Sequence, residues 1–298
     1  MVHDDNDEMT NHPILHGFKI AMKQWRIAAI VYAIQLGLAV TLGMQVYEVL
    51  EASIGHSLEI NKLLSHYDHT VLTDFLKVHG ASITPLIGQL RWLLLVWLVF
   101  SVFIDAGLLY CAARPEQASG RSFWQGGAVY FFPFLKIALF FLALTLIWTA
   151  LIWVPAAIWL EPSLEYFSTE QYSVWLVLLL LVIWLLGLAV LFVWSVASRL
   201  QHLSAGDSVS GNFADGWRVF RSRKASLLSL LAGFAALQML LVATYFTLEG
   251  YSGMTSVLLI PVFFVVQQAF IFFRIQIRQM MYAAIAETTK GHRPPLPV

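Results

Sequence analysis

Six long apolar stretches constrain the fold of this chain more than any other feature of its sequence. Each approaches or exceeds the length of about 18 residues above which a transmembrane helix becomes a better interpretation than a buried helix of a soluble protein. A bilayer core about 30 Å thick is crossed by roughly 20 helical residues, at a rise of about 1.5 Å per residue. The sequence therefore predicts an all-α, polytopic membrane protein. The six predicted transmembrane helices cover residues 27–46, 90–112, 134–153, 174–197, 227–246 and 254–273.

The composition leads to the same class of protein. Of the 298 residues, 59% are hydrophobic and 12% are charged, and the mean hydropathy is +0.71. These values exclude an ordinary soluble protein. The 18 basic and 18 acidic residues balance, so we predict no nucleic-acid partner. We expect one membrane domain at residues 13–290, between a disordered acidic N-terminus at 1–12 and a short tail at 291–298.

The basic residues predict the orientation of the chain in the membrane. Fifteen of the 18 Lys and Arg residues fall in the N-terminal segment, the second and fourth connections and the C-terminal segment. The other three are Lys62, Lys77 and Arg91. Because cytoplasmic flanks are enriched in Lys and Arg, both termini are predicted to be cytoplasmic, in a bacterial inner membrane. The long connection 47–89 is then outside, and its helical spacing of apolar residues predicts an amphipathic helix there.

A basic, amphipathic segment precedes the fifth predicted transmembrane helix. In residues 213–224, Phe213, Trp217 and Phe220 share one helical face, and the basic side chains point away from it. Such a segment is typical of a helix that lies in the membrane interface, on the cytoplasmic side, before the chain turns into the bilayer. We call it an elbow. Its predicted contacts with lipid headgroups are Trp217, Arg218, Arg221, Arg223 and Lys224. The rings of Trp217 and Phe220 are predicted to lie in the lipid boundary.

Similar elbows precede the first and third predicted helices, so the chain has the pattern of a repeat. Gly17, Gly126 and Gly216 are taken as equivalent positions, each followed within ten residues by a basic side chain and then by an apolar stretch. Three hairpins that start on the same side of the membrane would be parallel repeats. The alternative is that the ordinary composition of cytoplasmic flanks produces much of the likeness.

This arrangement of elbows and hairpins resembles the uncharacterised, YciC-like six-helix bacterial integral membrane proteins. It also resembles the membrane domain attached to some glycerophosphodiester phosphodiesterases. The resemblance covers residues 17–290 and implies an integral membrane component linked to envelope or lipid processes. No soluble phosphodiesterase domain is recognised in the sequence, so we do not expect that activity.

Asp105 is an acidic residue inside the second predicted transmembrane helix. An isolated charge in a helix centre costs about 2.5 to 3.5 kcal/mol on insertion scales, so a partner is expected. Arg274 and Arg278 follow the last apolar stretch and reach a similar depth. We predict a structural ion pair of an ionised Asp105 with Arg274 or, failing that, with Arg278. A proton or ion relay and a carboxylate that extends to the headgroups are the alternatives.

The sequence carries no motif that predicts an enzyme. It has no HExxH zinc helix, no P-loop and no GxSxG nucleophile elbow, so we predict no catalytic, cofactor-binding or metal-binding residues. Four histidines occur in or near the outer connection, and a solvated polar face is the favoured interpretation of them. Metal binding by this group is the open alternative. The four are His56, His66, His69 and His79.

The absence of catalytic motifs from the sequence leads to a functional prediction. We expect a non-enzymatic membrane protein that acts as a scaffold or accessory component in envelope or lipid homeostasis. Its predicted partners are membrane lipids and other membrane proteins. A transporter or channel for a small or lipid-like substrate is the first alternative, and a membrane-embedded transferase is the second.

Overall fold

The computed structural model describes residues 13–54, 69–166, 170–205, 209–252 and 259–292. Within these ranges the chain is helical and contains no β-strand, which confirms the all-α prediction. The predictions for residues 1–12, for His56 and His66, and for the end of the C-terminal tail fall outside the described residues. The side chains of His69 and His79 are also outside the description.

Seven α-helices and two short 3-10 helices account for nearly all of the described residues. The α-helices are α1 (Pro13–Lys23), α2 (Trp25–Ile54), α3 (His69–Ala113), α4 (Gly120–Tyr166), α5 (Glu170–Ala205), α6 (Val209–Ser252) and α7 (Leu259–Thr289). The 3-10 helices are Pro115–Gln117 and Lys290–His292.

Five helical stretches of the described chain are long and apolar enough to cross a membrane. They are Trp25–Glu48, Gly88–Ala113, Gly120–Trp159, Gln171–Ser204 and Gly211–Gly250. Each contains one of the first five predicted spans, which is consistent with a multi-pass membrane protein. The sixth predicted span, 254–273, begins outside the described residues and stays a prediction.

Two of the three elbows are set off from the following helix by a break in helical geometry. Gln24 is a non-helical residue between α1 and α2. In α6, Arg223 departs from helical geometry, with φ −122° and ψ 22°. The elbow around Gly126 forms the first turns of α4, which starts at Gly120, well before the predicted span at 134–153. The helices therefore extend beyond the apolar stretches that sequence analysis identified.

The chain divides into two compact units. The smaller unit is Ile30–Ser101, and the larger one combines the described residues of Met1–Ala29 and Val102–Val298. In the smaller unit most described side chains are at least partly exposed. The larger unit contains most of the buried side chains, among them Phe123 and Phe134.

The core of the larger unit lies at the end of the bundle where α3 connects to α4 and α5 to α6. Its largest fully buried side chains are Ile104, Leu109, Phe123, Phe134, Ile137, Val193, Val196, Leu200, Leu203, Leu227 and Ile285. We call this region the junction core; it comprises residues 13–29, 102–137, 193–204, 212–230 and 275–289. Beyond it, side chains such as Leu151, Leu186 and Met239 are 62%, 60% and 73% exposed. The packed interior is therefore concentrated at one end of the helices.

Glycines permit the closest approaches between helices in the junction core. A Cβ atom on Gly17 would lie 2.5 Å from the carbonyl oxygen of Met280 on α7. A Cβ atom on Gly216 would lie 2.8 Å from the Cα and the backbone nitrogen of Ser198 on α5. Both contacts are to backbone atoms, which cannot move aside as a flexible side chain can. Small residues at such positions allow helices to pack closely in membrane proteins.

Gly216→Ala is expected to destabilise the protein by about 1–3 kcal/mol, because the added methyl group overlaps the backbone of α5. Gly43→Ala is the matched control, since a Cβ atom there has no atom within 4 Å. Thermal unfolding in detergent should show a lower Tm for Gly216→Ala and little change for Gly43→Ala. Equal melting temperatures for the two variants would contradict the close approach of α5 and α6.

Candidate functional site

A cluster of charged residues in the junction core joins three helices. Asp105 lies on α3, Arg199 on α5, and Arg278 and Tyr282 on α7. Nη1 of Arg199 donates a hydrogen bond to Oδ2 of Asp105 at 3.2 Å. Oδ1 of Asp105 accepts from Nη2 of Arg278 in an ion pair and from the Tyr282 hydroxyl at 2.7 Å. These four residues are the Asp105 cluster.

The Asp105 cluster is largely shielded from solvent. The side chains of Asp105 and Arg199 are 13% and 11% exposed, whereas that of Arg278 is 28% exposed. The guanidinium carbon of Arg199 is 5.8 Å from the ring centre of Phe134, a cation–π contact with a fully buried ring. On α7, Nε of Arg278 also contacts the Tyr282 hydroxyl oxygen at 3.4 Å. Arg278 is therefore the most accessible ionic member of the cluster.

The predicted pairing of Asp105 with Arg278 occurs, but the preferred partner, Arg274, is wrong. Arg274 lies four residues before Arg278, about 6 Å along the helix axis at 1.5 Å per residue. Its side chain is exposed, and its guanidinium carbon lies 5.9 Å from the ring centre of Phe270. The prediction took the first arginine after the apolar stretch, Arg274. Asp105 instead lies level with the next turn of α7, which carries Arg278.

Sequence reasoning missed Arg199 as a partner of Asp105. It counted Arg199 only as a flanking charge, because it directly follows the apolar stretch 174–197 and resembles any basic residue at a cytoplasmic boundary. The available signal was its isolation, since the neighbouring residues on α5 are uncharged. A single arginine in such a setting can face the protein interior, and Arg199 is only 9% exposed.

Arg199 and Arg278 together carry one more positive charge than Asp105 neutralises. In the described part of the chain, no second carboxylate forms an ion pair with either arginine. Nε of Arg199 is buried and has no hydrogen-bond partner. Buried polar groups in proteins nearly always have partners, so this nitrogen is an unusual feature of the cluster.

Other buried polar groups link the helices near the Asp105 cluster. Nδ2 of Asn212 on α6 is 2.8 Å from Nδ1 of His202 on α5. Nε2 of Gln24 donates a hydrogen bond to the carbonyl oxygen of Cys111 at 3.3 Å, which joins the break between α1 and α2 to the end of α3. These contacts connect successive helices through side-chain amides.

The basic headgroup contacts predicted on the elbow at 213–224 are exposed in the structure. Arg218, Arg221, Arg223 and Lys224 all have exposed side chains. Nη1 of Arg218 donates a hydrogen bond to Asp215 at 3.0 Å. The arginines and lysine are therefore accessible to an anionic surface.

The aromatic face of the same elbow differs in part from the predicted one. Trp217 is 41% exposed, and its ring stacks on Phe220 with 5.3 Å between centroids. Phe220 itself is only 6% exposed, so its predicted position in the lipid boundary is wrong. Val219 and Gly216 are also buried, and Gly216 lies against Ser198 of the neighbouring helix α5.

Among the described residues, no group of three or more His, Cys, Asp or Glu side chains is placed to hold a metal ion. Comparison with protein-family models, with curated proteins and with solved structures finds no match for this chain. The resemblance to YciC-like membrane proteins therefore stays a prediction.

Asp105→Asn is expected to reduce the free energy of unfolding by about 3–5 kcal/mol, because it leaves two buried guanidinium groups without a counter-charge. The double variant Asp105→Asn with Arg199→Gln should recover much of this loss, since Arg278 keeps its contact with Tyr282. Thermal unfolding in detergent measures both effects. Arg274→Gln is the control and should change the Tm little, and a simple sum of the two single losses in the double variant would rule out the coupling.

Proposed function

We propose that this chain is a six-helix protein of the bacterial cytoplasmic membrane that acts as a non-enzymatic scaffold or accessory component in envelope or lipid homeostasis. The observation that carries the proposal is the distribution of buried residues. The helices are fixed to one another in the junction core, while their apolar stretches expose large side chains along most of their length. Such surfaces are stable only when lipid or other membrane proteins cover them.

The proposal includes three hairpins arranged as parallel repeats, because the three elbow glycines make related contacts. The second and third elbow glycines each lie against the helix that precedes their elbow, and the first lies against the last helix, α7. The three pairs are Gly126 with Tyr110, Gly216 with Ser198, and Gly17 with Met280.

A second spacing supports the repeat. The seventh residue after each elbow glycine is Gln24, Pro133 or Arg223. Gln24 and Arg223 are both positions where helical geometry breaks. Proline lacks a backbone N–H and commonly permits a bend in a helix. Proline is therefore a residue type expected at the equivalent position of the remaining elbow, which is Pro133.

The geometry at Asp105 favours a scaffold over a transporter. A proton relay needs a carboxyl group that can exchange protons with water along a path through the membrane. Both oxygens of Asp105 instead accept hydrogen bonds from arginine or tyrosine, and its side chain is 13% exposed. The same contacts favour a permanent ionised pair that fixes three helices.

Single-cysteine labelling tests the membrane topology. In a Cys111→Ala background, Glu51→Cys should react with an impermeant maleimide in whole cells whose outer envelope has been permeabilised. Gln117→Cys should react only after the inner membrane is opened, because the positive-inside rule places its connection in the cytoplasm. Both native side chains are exposed, so accessibility in the fold is matched. Labelling of Gln117→Cys alone in whole cells would reverse the topology.

Photo-crosslinking tests the scaffold itself. A photoreactive amino acid at Leu151, Leu186 or Met239, in cells, should give a reproducible adduct with one membrane protein at one or more of these positions. The physical reason is that an exposed apolar face that binds a partner holds it in one place, whereas lipid exchanges rapidly. Ile104, which is fully buried, is the control and should give no intermolecular adduct.

Reconstitution into vesicles provides the opposing test. A scaffold should leave a proton gradient intact in both the wild-type protein and Asp105→Asn. Proton flux that requires Asp105, together with crosslinks only to lipid, would contradict the scaffold and favour the transporter.

A further inference from the structure

The Asp105 cluster has an unbalanced charge in a shielded place. Two guanidinium groups face one carboxylate, and the contacts that offset them are with Asp105, the Tyr282 hydroxyl and the Phe134 ring. Burying a charge without a partner is unfavourable in a medium of low dielectric constant. The charge that Asp105 does not neutralise is therefore expected to attract an anion.

One nitrogen of the cluster also lacks a partner. Nε of Arg199 is buried and has no hydrogen-bond partner, and only 9% of the residue is exposed. Arginine offers its donors in a planar fork that matches two oxygens of a carboxylate or phosphate group. Asp105 occupies Nη1 of Arg199, which leaves Nε for an oxygen from a second anion.

The position of the cluster favours phosphate over other anions. Arg199 lies two residues beyond the apolar stretch that ends at 197, and Arg278 lies five residues beyond the one that ends at 273. A phospholipid headgroup would lie near this level if these stretches cross the bilayer. Arg278 is 28% exposed, so its side of the cluster is open to a ligand. A phosphate ester supplies several acceptor oxygens and a full negative charge.

We propose that Arg199 and Arg278 form a binding site for a phosphate group, either in a phospholipid headgroup or as free phosphate. Asp105 acts as a positioning residue that holds the two guanidinium groups and sets the net charge of the site. No bond is made or broken, and the phosphate binds as the counter-ion of the excess charge. One part of the proposal, a lipid as the source of the phosphate, rests on the membrane placement proposed above. Binding of free phosphate does not depend on that placement.

The opposite effects of two substitutions distinguish this site from a structural ion pair. Arg199→Gln removes the excess charge and the free donor, so we expect phosphate affinity to fall by about tenfold or more. Asp105→Asn raises the net charge of the site by one unit, so affinity should rise by about three- to tenfold even though the protein is less stable. If phosphate bound elsewhere and needed only an intact fold, both variants would bind it less tightly.

The experiment uses the full chain, purified and delipidated in detergent. Inorganic phosphate is titrated with calorimetric detection, and phosphatidylglycerol is compared, by native mass spectrometry, with a diacylglycerol that has the same acyl chains and no phosphate. Binding of phosphatidylglycerol without binding of inorganic phosphate assigns the site to a lipid. Binding of inorganic phosphate at equal or higher affinity assigns it to free phosphate.

Two further variants separate binding from folding. Arg274→Gln is the matched control on α7 and should bind as the wild type does, because its side chain lies outside the cluster. The double variant Asp105→Asn with Arg199→Gln keeps the wild-type net charge of the cluster, and it provides a folded protein if either single variant unfolds. It should bind phosphate more tightly than Arg199→Gln. If Arg199→Gln gives no folded protein, the double variant should still bind phosphate detectably.

The proposal is overturned if neither probe binds the wild type, if Arg199→Gln binds as tightly as Arg274→Gln, or if Asp105→Asn weakens binding. Because these titrations need no partner protein, their outcome is separate from the crosslinking and flux measurements that test the scaffold.

Discussion

The burial of Asp105 is the constraint on which the junction core depends. A carboxylate that leaves water must gain partners of comparable strength, and here these come from two other helices. Arg199 and Arg278 satisfy separate oxygens, so neither arginine can replace the other. The ion contacts therefore specify which ends of α3, α5 and α7 meet, and at what level, in a way that apolar contacts alone would not.

Close packing makes these ionic contacts possible. Apolar helices in lipid gain little from the hydrophobic effect when they associate, so dispersion contacts at short distance and hydrogen bonds between helices take its place. Gly17 and Gly216 bring backbones together at the same end of the bundle as the charged cluster. Nearby, the amide of Gln24 bonds to the end of α3, and Asn212 contacts His202. Shape and polarity thus select one arrangement together.

The sequence predicted the elements of this core better than their contacts. Periodicity and apolar length located five of the helical stretches, and the cost of a charge in an apolar helix identified Asp105 as a residue in need of a partner. Judging depth from the end of the apolar stretch put Arg274 first and Arg278 second, although Arg278 forms the pair. A difference of one helical turn cannot be resolved in that way. Arg199 was missed since a flanking arginine that points inward has the same sequence signature as one that points to lipid. The elbow glycines were recognised as repeat markers, whereas the helices they approach depend on tertiary packing.

The separation between a packed end and exposed apolar stretches has a consequence for how the protein works. Stability in such a chain comes mainly from the junction core, so the surfaces of α4 to α6 beyond it can be shaped by what they contact and not by the need to hold the fold. Leu186 and Met239 are large, apolar and exposed, as expected for surfaces covered by lipid or by a partner. A ligand bound at Arg199 and Arg278 would act on the fixed end, where three helices meet.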